Sequence, residues 1–234
     1  MSTEQGAEEH LRAIRLLMER ATIYRAISAP TAFVGGVFSL LLALALLRWQ
    51  GMGPGRNVDA RLYFVLWSLV FVLTLVANTI FIVRGTRRRG ESPVSAGMRL
   101  AIRSIVPSFF AGAATSASLT LTTDQPLLPT LMWLVFYGLG LLSTMSFAPR
   151  SIIVLGWAFL FTGVTLFVYF MNQSILPGLD LPTPTRFYPA AIMGATFGLY
   201  HLVYAAVVWV RDRQRRLDAV ECRPLVNELH PPVP

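Results

Sequence analysis

Apolar residues run almost unbroken over six stretches, at residues 31–47, 60–83, 104–122, 127–147, 152–171 and 189–210. Each is near the roughly 20 residues that a helix needs to cross the hydrocarbon core of a bilayer. Inside lipid the backbone has no water to bond to, so each stretch must be helical. The pattern predicts an all-α fold, a polytopic membrane protein with six transmembrane helices across residues 30–210.

The first 29 residues have a different pattern. Leu11, Ile14, Leu17, Met18, Ala21 and Tyr24 recur at spacings of three and four, which is an amphipathic stripe. Glu8 with Arg12, and Arg15 with Glu19, are spaced for i,i+4 ion pairs. Residues 1–29 therefore predict a cytoplasmic amphipathic helix, lying on the inner leaflet or packing on the ends of the bundle. No short apolar core leads to a small-residue cleavage site, so no signal peptide is expected.

The polar connections set the orientation. Residues 84–103 hold six arginines, Arg84, Arg87, Arg88, Arg89, Arg99 and Arg103, against one acid, Glu91. A short basic loop between membrane-length segments stays on the cytoplasmic side. Alternation then places both termini, Arg150 and the tail arginines inside as well. Of the 20 basic residues only Arg48, Arg56, Arg61 and Arg186 fall outside, which leaves 16 inside. Trp49, Tyr63, Tyr169 and Tyr188 are expected at the outer interface and Trp209 at the inner one. Residues 211–234 read as a basic and then proline-rich cytoplasmic tail, frayed from Leu217 onward.

Composition agrees with a lipid solvent. Charged residues make up 14% and hydrophobic residues 54%, with a mean hydropathy of +0.57. Soluble domains carry about 25% charged residues. The net charge of +8 is topological, faces anionic headgroups, and implies no nucleic-acid partner. Every basic residue is arginine, which we read as codon bias of a GC-rich genome and hence as a bacterial inner membrane. The single cysteine, Cys222, rules out an intrachain disulfide.

Small residues suggest how the helices meet. Residues 111–118 are eight small residues in a row, including Gly112, Thr115 and Ser116, so the third span is expected at the centre. Gly35, Ser39 and Ala43 form one small-residue face, and Ala190, Gly194 and Gly198 form another. Such faces serve plain helix packing, and they also offer a surface for a homo-oligomer. Arg103-x3-Pro107-x4-Gly112 resembles Arg186-x2-Pro189-x4-Gly194, which raises a three-plus-three inverted repeat.

The candidate chemistry is sparse. No Asp or Glu lies within a span, which argues against a cation-coupled pump. No catalytic constellation, metal-ligand spacing or phosphate loop is visible, so neither enzyme activity, a metal nor a cofactor is expected. His201 lies mid-span, with Tyr204 at i+3. An intramembrane histidine is a functional candidate, although a neutral imidazole bonded across the bundle serves structure equally well. Asn78 sits at comparable depth and is expected to face the interior with His201. Thr115 and Ser116 would extend a polar path or bond their own preceding carbonyls. Arg103 would hold an anion or snorkel to the interface.

These features lead to a small permease or channel-like protein for a neutral or anionic solute or lipid. The alternative is a non-catalytic membrane subunit or sensor that relays to a cytoplasmic partner. A cavity reaching His201 and Arg103 would favour the first, and a solid core with a flat apolar stripe the second.

Overall fold

The computed structural model describes residues 29–53, 56–88, 90, 96–172 and 188–229. The expected N-terminal amphipathic helix and most of the outer loop before Tyr188 lie outside these residues.

The described residues are all-helical, with no strand among them. Helix α1 spans Ala29–Gly51, α2 Ala60–Arg87, α3 Ala96–Thr122, α4 Leu127–Leu142 and α5 Arg150–Met171. The last helix comes in three parts. These are α6 at Tyr188–Met193, a π-helical stretch at Gly194–Tyr200, and α7 at His201–Leu229. Local sequence explains several boundaries. Pro30 sits in the first turn of α1, where a missing N–H costs nothing. Asp59 caps α2 by accepting from the Leu62 N–H at 3.4 Å.

Five helices are long and apolar enough to cross a membrane: Ala29–Gly51, Ala60–Arg87, Met98–Thr122, Arg150–Met171 and Tyr188–Arg215. The fourth apolar stretch differs from its expected range, because its helix stops at Leu142 and residues 143–148 form turns. Its 16 residues make a rod of about 24 Å, shorter than the roughly 30 Å hydrocarbon core. The shortfall is tolerable where protein covers the backbone. Here α4 packs against both α3 and α5, and Leu131 and Leu134 are fully buried. The tail also differs from expectation, since α7 continues as helix to Leu229.

The helices form two groups that cut across the halves of the sequence. One is α3, α4 and α5, which are consecutive neighbours. The other is α1 with α2, α6, the π-helical stretch and α7. The groups meet through thinner contacts of α2 with α3, α4 with α6 and α5 with α7. Pro107 lies deep inside α3, whereas Pro189 lies in the first turn of α6, so the prolines of the suggested repeat occupy different helical positions. Pro107 cannot donate to the Arg103 carbonyl. In the same turn the Ser104 carbonyl accepts the Ser143 hydroxyl at 2.8 Å, which ties α3 to the end of α4.

The third span is not the centre of the bundle. Phe110, Val106 and Leu121 on α3 are exposed, and its small face is used on one side only. There a Cβ on Gly112 would lie 2.6 Å from Phe136 Cβ, and the buried Ser116 hydroxyl donates to the Pro129 carbonyl at 3.2 Å. The closest backbone approach is between α4 and α5, where a Cβ on Gly138 would lie 2.7 Å from the Leu160 nitrogen, and another close approach joins α1 to the π-helical stretch. A Cβ on Gly36 would sit 3.0 Å from the Gly198 carbonyl oxygen, and one on Gly194 would sit 2.6 Å from Ala43 Cβ. A Cβ on Gly35 would meet Thr74 of α2 at 2.8 Å. The face of the last helix is thus spent on α1 within the chain, while Gly35 of the α1 face packs on α2. Tyr63 is likewise a core residue rather than an interfacial one. It is 4% exposed and its hydroxyl accepts from Thr130 at 3.3 Å.

Candidate functional site

A cavity of about 500 Å³ lies between the two helix groups. Its volume falls within the roughly 300–1,000 Å³ typical of small-molecule sites. On α1 the lining comes from residues 31–39, on α3 from residues 98–109 and on α5 from Ile152 and Leu155. Residues 67–78 of α2, residues 133–141 of α4, residues 144–149 of the following turn and the middle of the last helix complete the wall. The space therefore occupies the middle of the bundle and the end whose helix termini carry Arg87, Arg99 and Arg150.

Aromatic rings form one wall and join the two groups. Phe71 of α2 meets Trp133 of α4 edge-on at 5.6 Å, and Phe109 of α3 stacks on Tyr137 at 5.5 Å. Tyr137 also meets Phe159 at 4.7 Å and Phe197 at 4.8 Å. Such pairs contribute about 0.5–1.5 kcal/mol each beyond the area they bury. On the far side of this layer, Tyr63–Thr130 and Thr162–Tyr200 hydrogen bonds close the bundle.

Two polar pairs interrupt the apolar wall. The first is His201 with Tyr137. His201 Nδ1 lies 3.0 Å from the Phe197 carbonyl, which can only accept, so Nδ1 carries the hydrogen in the neutral ring. Nε2 then accepts from the Tyr137 hydroxyl at 2.7 Å. His201 stands at the C-terminal boundary of the π-helical stretch, its N–H directed to the Gly198 carbonyl, and stretches of this kind recur at functional sites. The second pair is Thr31 with Asn78, where the Thr31 hydroxyl donates to Asn78 Oδ1 at 2.9 Å. Asn78 Nδ2 has no partner among the described residues, and so offers two donors on the cavity wall.

The residues singled out from sequence divide clearly. His201, Asn78, Tyr204 and Gly35 line the cavity together. Arg103 is exposed and outside the lining. Ser116 is buried in the α3–α4 contact, and Thr115 lies outside the lining. Gly112, Gly194 and Gly198 are contact points between helices. Sequence reasoning missed Tyr137 and Thr31. Tyr137 is the one tyrosine of the fourth apolar stretch, and a phenol at that depth needs a partner, which was a usable signal. Thr31 follows Pro30 at a helix start and reads there as a boundary residue.

The fold is an all-helical bundle whose apolar helices suggest a membrane-embedded multi-pass protein, with a pocket among those helices. The chain matches no protein-family model, no curated protein and no solved structure.

Proposed function

We propose that this chain is a six-span protein of the bacterial inner membrane, with both termini cytoplasmic. In this reading it is a permease-like protein that binds and moves a bilayer-soluble, mostly apolar molecule bearing a hydrogen-bonding group. The observation that carries the reading is the cavity wall itself. It is aliphatic and aromatic over nearly all its surface, with the Asn78 amide donors and the Tyr137–His201 pair as its polar marks. A hydrophilic solute would find too few partners there to repay its desolvation. The short fourth helix serves as the sixth span because α3 and α5 cover it. The arginine count supports the orientation.

The test uses purified protein in lipid nanodiscs and a photoactivatable single-chain probe. Crosslinks at Phe109, Tyr137 and Phe197, lost in Ala101→Phe, are the expected result. Ala101 lines the cavity and is 8% exposed, so a phenyl ring there projects into the space and narrows it. Crosslinks spread evenly over the lipid-facing Leu41, Val154 and Phe161 would discard the reading. Flip of the same probe between leaflets of proteoliposomes then separates movement from binding.

A subunit or sensor role is the second reading. It draws on α2, where Leu62, Val65, Leu69, Val72 and Val76 are each at least half exposed along one helix. Capture of a discrete cytoplasmic partner, with no probe labelling in the cavity, would favour it.

A further inference from the structure

The cavity is not sealed. Of the residues that line it, Leu75, Ile102 and Val106 are each 52% exposed. Leu75 is on α2 and the other two are on α3. The wall therefore runs out to the bundle surface between these two helices, where their mutual contact is thin. The opening lies on the side of the bundle, among exposed apolar residues, and so faces lipid; at the bundle end the cavity is lined by the turn residues Thr144, Phe147, Ala148 and Pro149.

Charge is arranged on one side of this opening. Arg99 lies three residues before Ile102, and Arg103 three before Val106, so each is a helix-surface neighbour of a mouth residue. Both arginines are exposed, and no acid pairs with either among the described residues. Their side chains lean toward the start of α3, which is the headgroup end. Inside the mouth, Asn78 Nδ2 supplies two further donors that bond to none of the described residues. The mouth thus combines an apolar throat with cationic and neutral donors at one end only.

We propose that the opening between α2 and α3 admits a single-chain anionic amphiphile from the arginine-side leaflet. Its chain lies in the cavity and its acid group rests against Arg99, Arg103 and the Asn78 amide. A volume of about 500 Å³ suits one acyl chain, and a second chain of a diacyl lipid would remain outside. A long-chain carboxylate fits the donors in number and sign. The proposal rests on the reading of the cavity as a ligand site and adds the ligand's charge and its route.

The test compares two photoactivatable probes of equal chain length in neutral nanodiscs at pH 8, a fatty acid and the matching fatty alcohol. The acid is expected to label the cavity residues several times more strongly than the alcohol. Removing both charges in Arg99→Gln with Arg103→Gln should erase the preference. Arg213→Gln, at an exposed site on α7 away from the mouth, should retain it. Thermal unfolding of each variant reports folding separately. Equal labelling by acid and alcohol in the native chain would overturn the anionic assignment and leave the cavity reading intact. No cavity labelling by either probe would remove both. Labelling by a diacyl phosphatidic acid probe as strong as by the fatty acid would overturn the single-chain assignment.

Discussion

Two seams of the bundle show opposite solutions to packing in lipid. Along the α1 seam, Gly36 meets the Gly198 carbonyl and Gly194 meets the Ala43 methyl, so the two backbones come close together. Along the α2–α3 seam, the facing residues are Leu75, Asn78, Ile102, Ile105 and Val106, and a cavity lies behind them. Lipid tails are as apolar as leucine, so burying leucine against another helix gains little over leaving it in lipid. Close contact in this solvent needs small residues on both partners. Where one partner offers branched side chains, the helices stay apart and the gap becomes usable space. The tight seam sets the fold, and the slack one provides an entrance.

The contrast is tested hardest on the tight side. Gly194→Leu adds a side chain whose first atom would already stand 2.6 Å from Ala43 Cβ. Overpacking of this kind costs about 1–3 kcal/mol, and a rigid glycine seam belongs at the top of that range. Reversible unfolding in mixed detergent should therefore show a loss of about 3 kcal/mol. The loss should occur in the monomer, because this face is occupied within the chain. A change in oligomeric state with stability intact would show that the seam is not where the fold is held.

A smaller effect is expected where the two helix groups are joined by polar contact. Tyr137→Phe removes the donor to His201 Nε2 but keeps the ring that stacks on Phe109. Interhelical hydrogen bonds in membranes average about 0.6 kcal/mol and reach about 1.7. A double-mutant cycle of Tyr137→Phe with His201→Ala should give a coupling energy in that range. A coupling near zero would mean that the aromatic contacts alone hold this junction.

The sequence carried much of the architecture and less of the site, for physical reasons. Hydrophobic run length is set by bilayer thickness, so the apolar stretches and most helix ends were legible without tertiary information. The small-residue faces of the first and sixth spans were equally legible, since glycine at intervals of four has few other uses in a buried helix. Which face meets which was not, because pairing depends on crossing geometry. The same ambiguity made the eight small residues of α3 look central when only Gly112, Ser116 and Thr120 are used, against one neighbour. His201 and Asn78 stood out because polar groups in lipid are costly. Their partners, Tyr137 and Thr31, are 64 and 47 residues away, and no local pattern links them. The π-helical stretch at Gly194–Tyr200 leaves no periodicity signature of its own.

The smallest expected effect lies on the slack seam, where a near-zero result is informative. Leu75→Ala trims a side chain that is already 52% exposed and borders the cavity. In a close-packed core such a truncation costs about 2–5 kcal/mol, from lost burial and from the void left behind. Here the void already exists and lipid covers the rest, so the change should stay within about 0.5 kcal/mol. Val106→Ala across the gap should behave alike, and the two should be additive, since residues with no shared contact do not couple. A loss above about 2 kcal/mol, or strong coupling between the pair, would mean that α2 and α3 close on each other in the bilayer. The opening would then be a shut seam, and a ligand would have to reach His201 by another path.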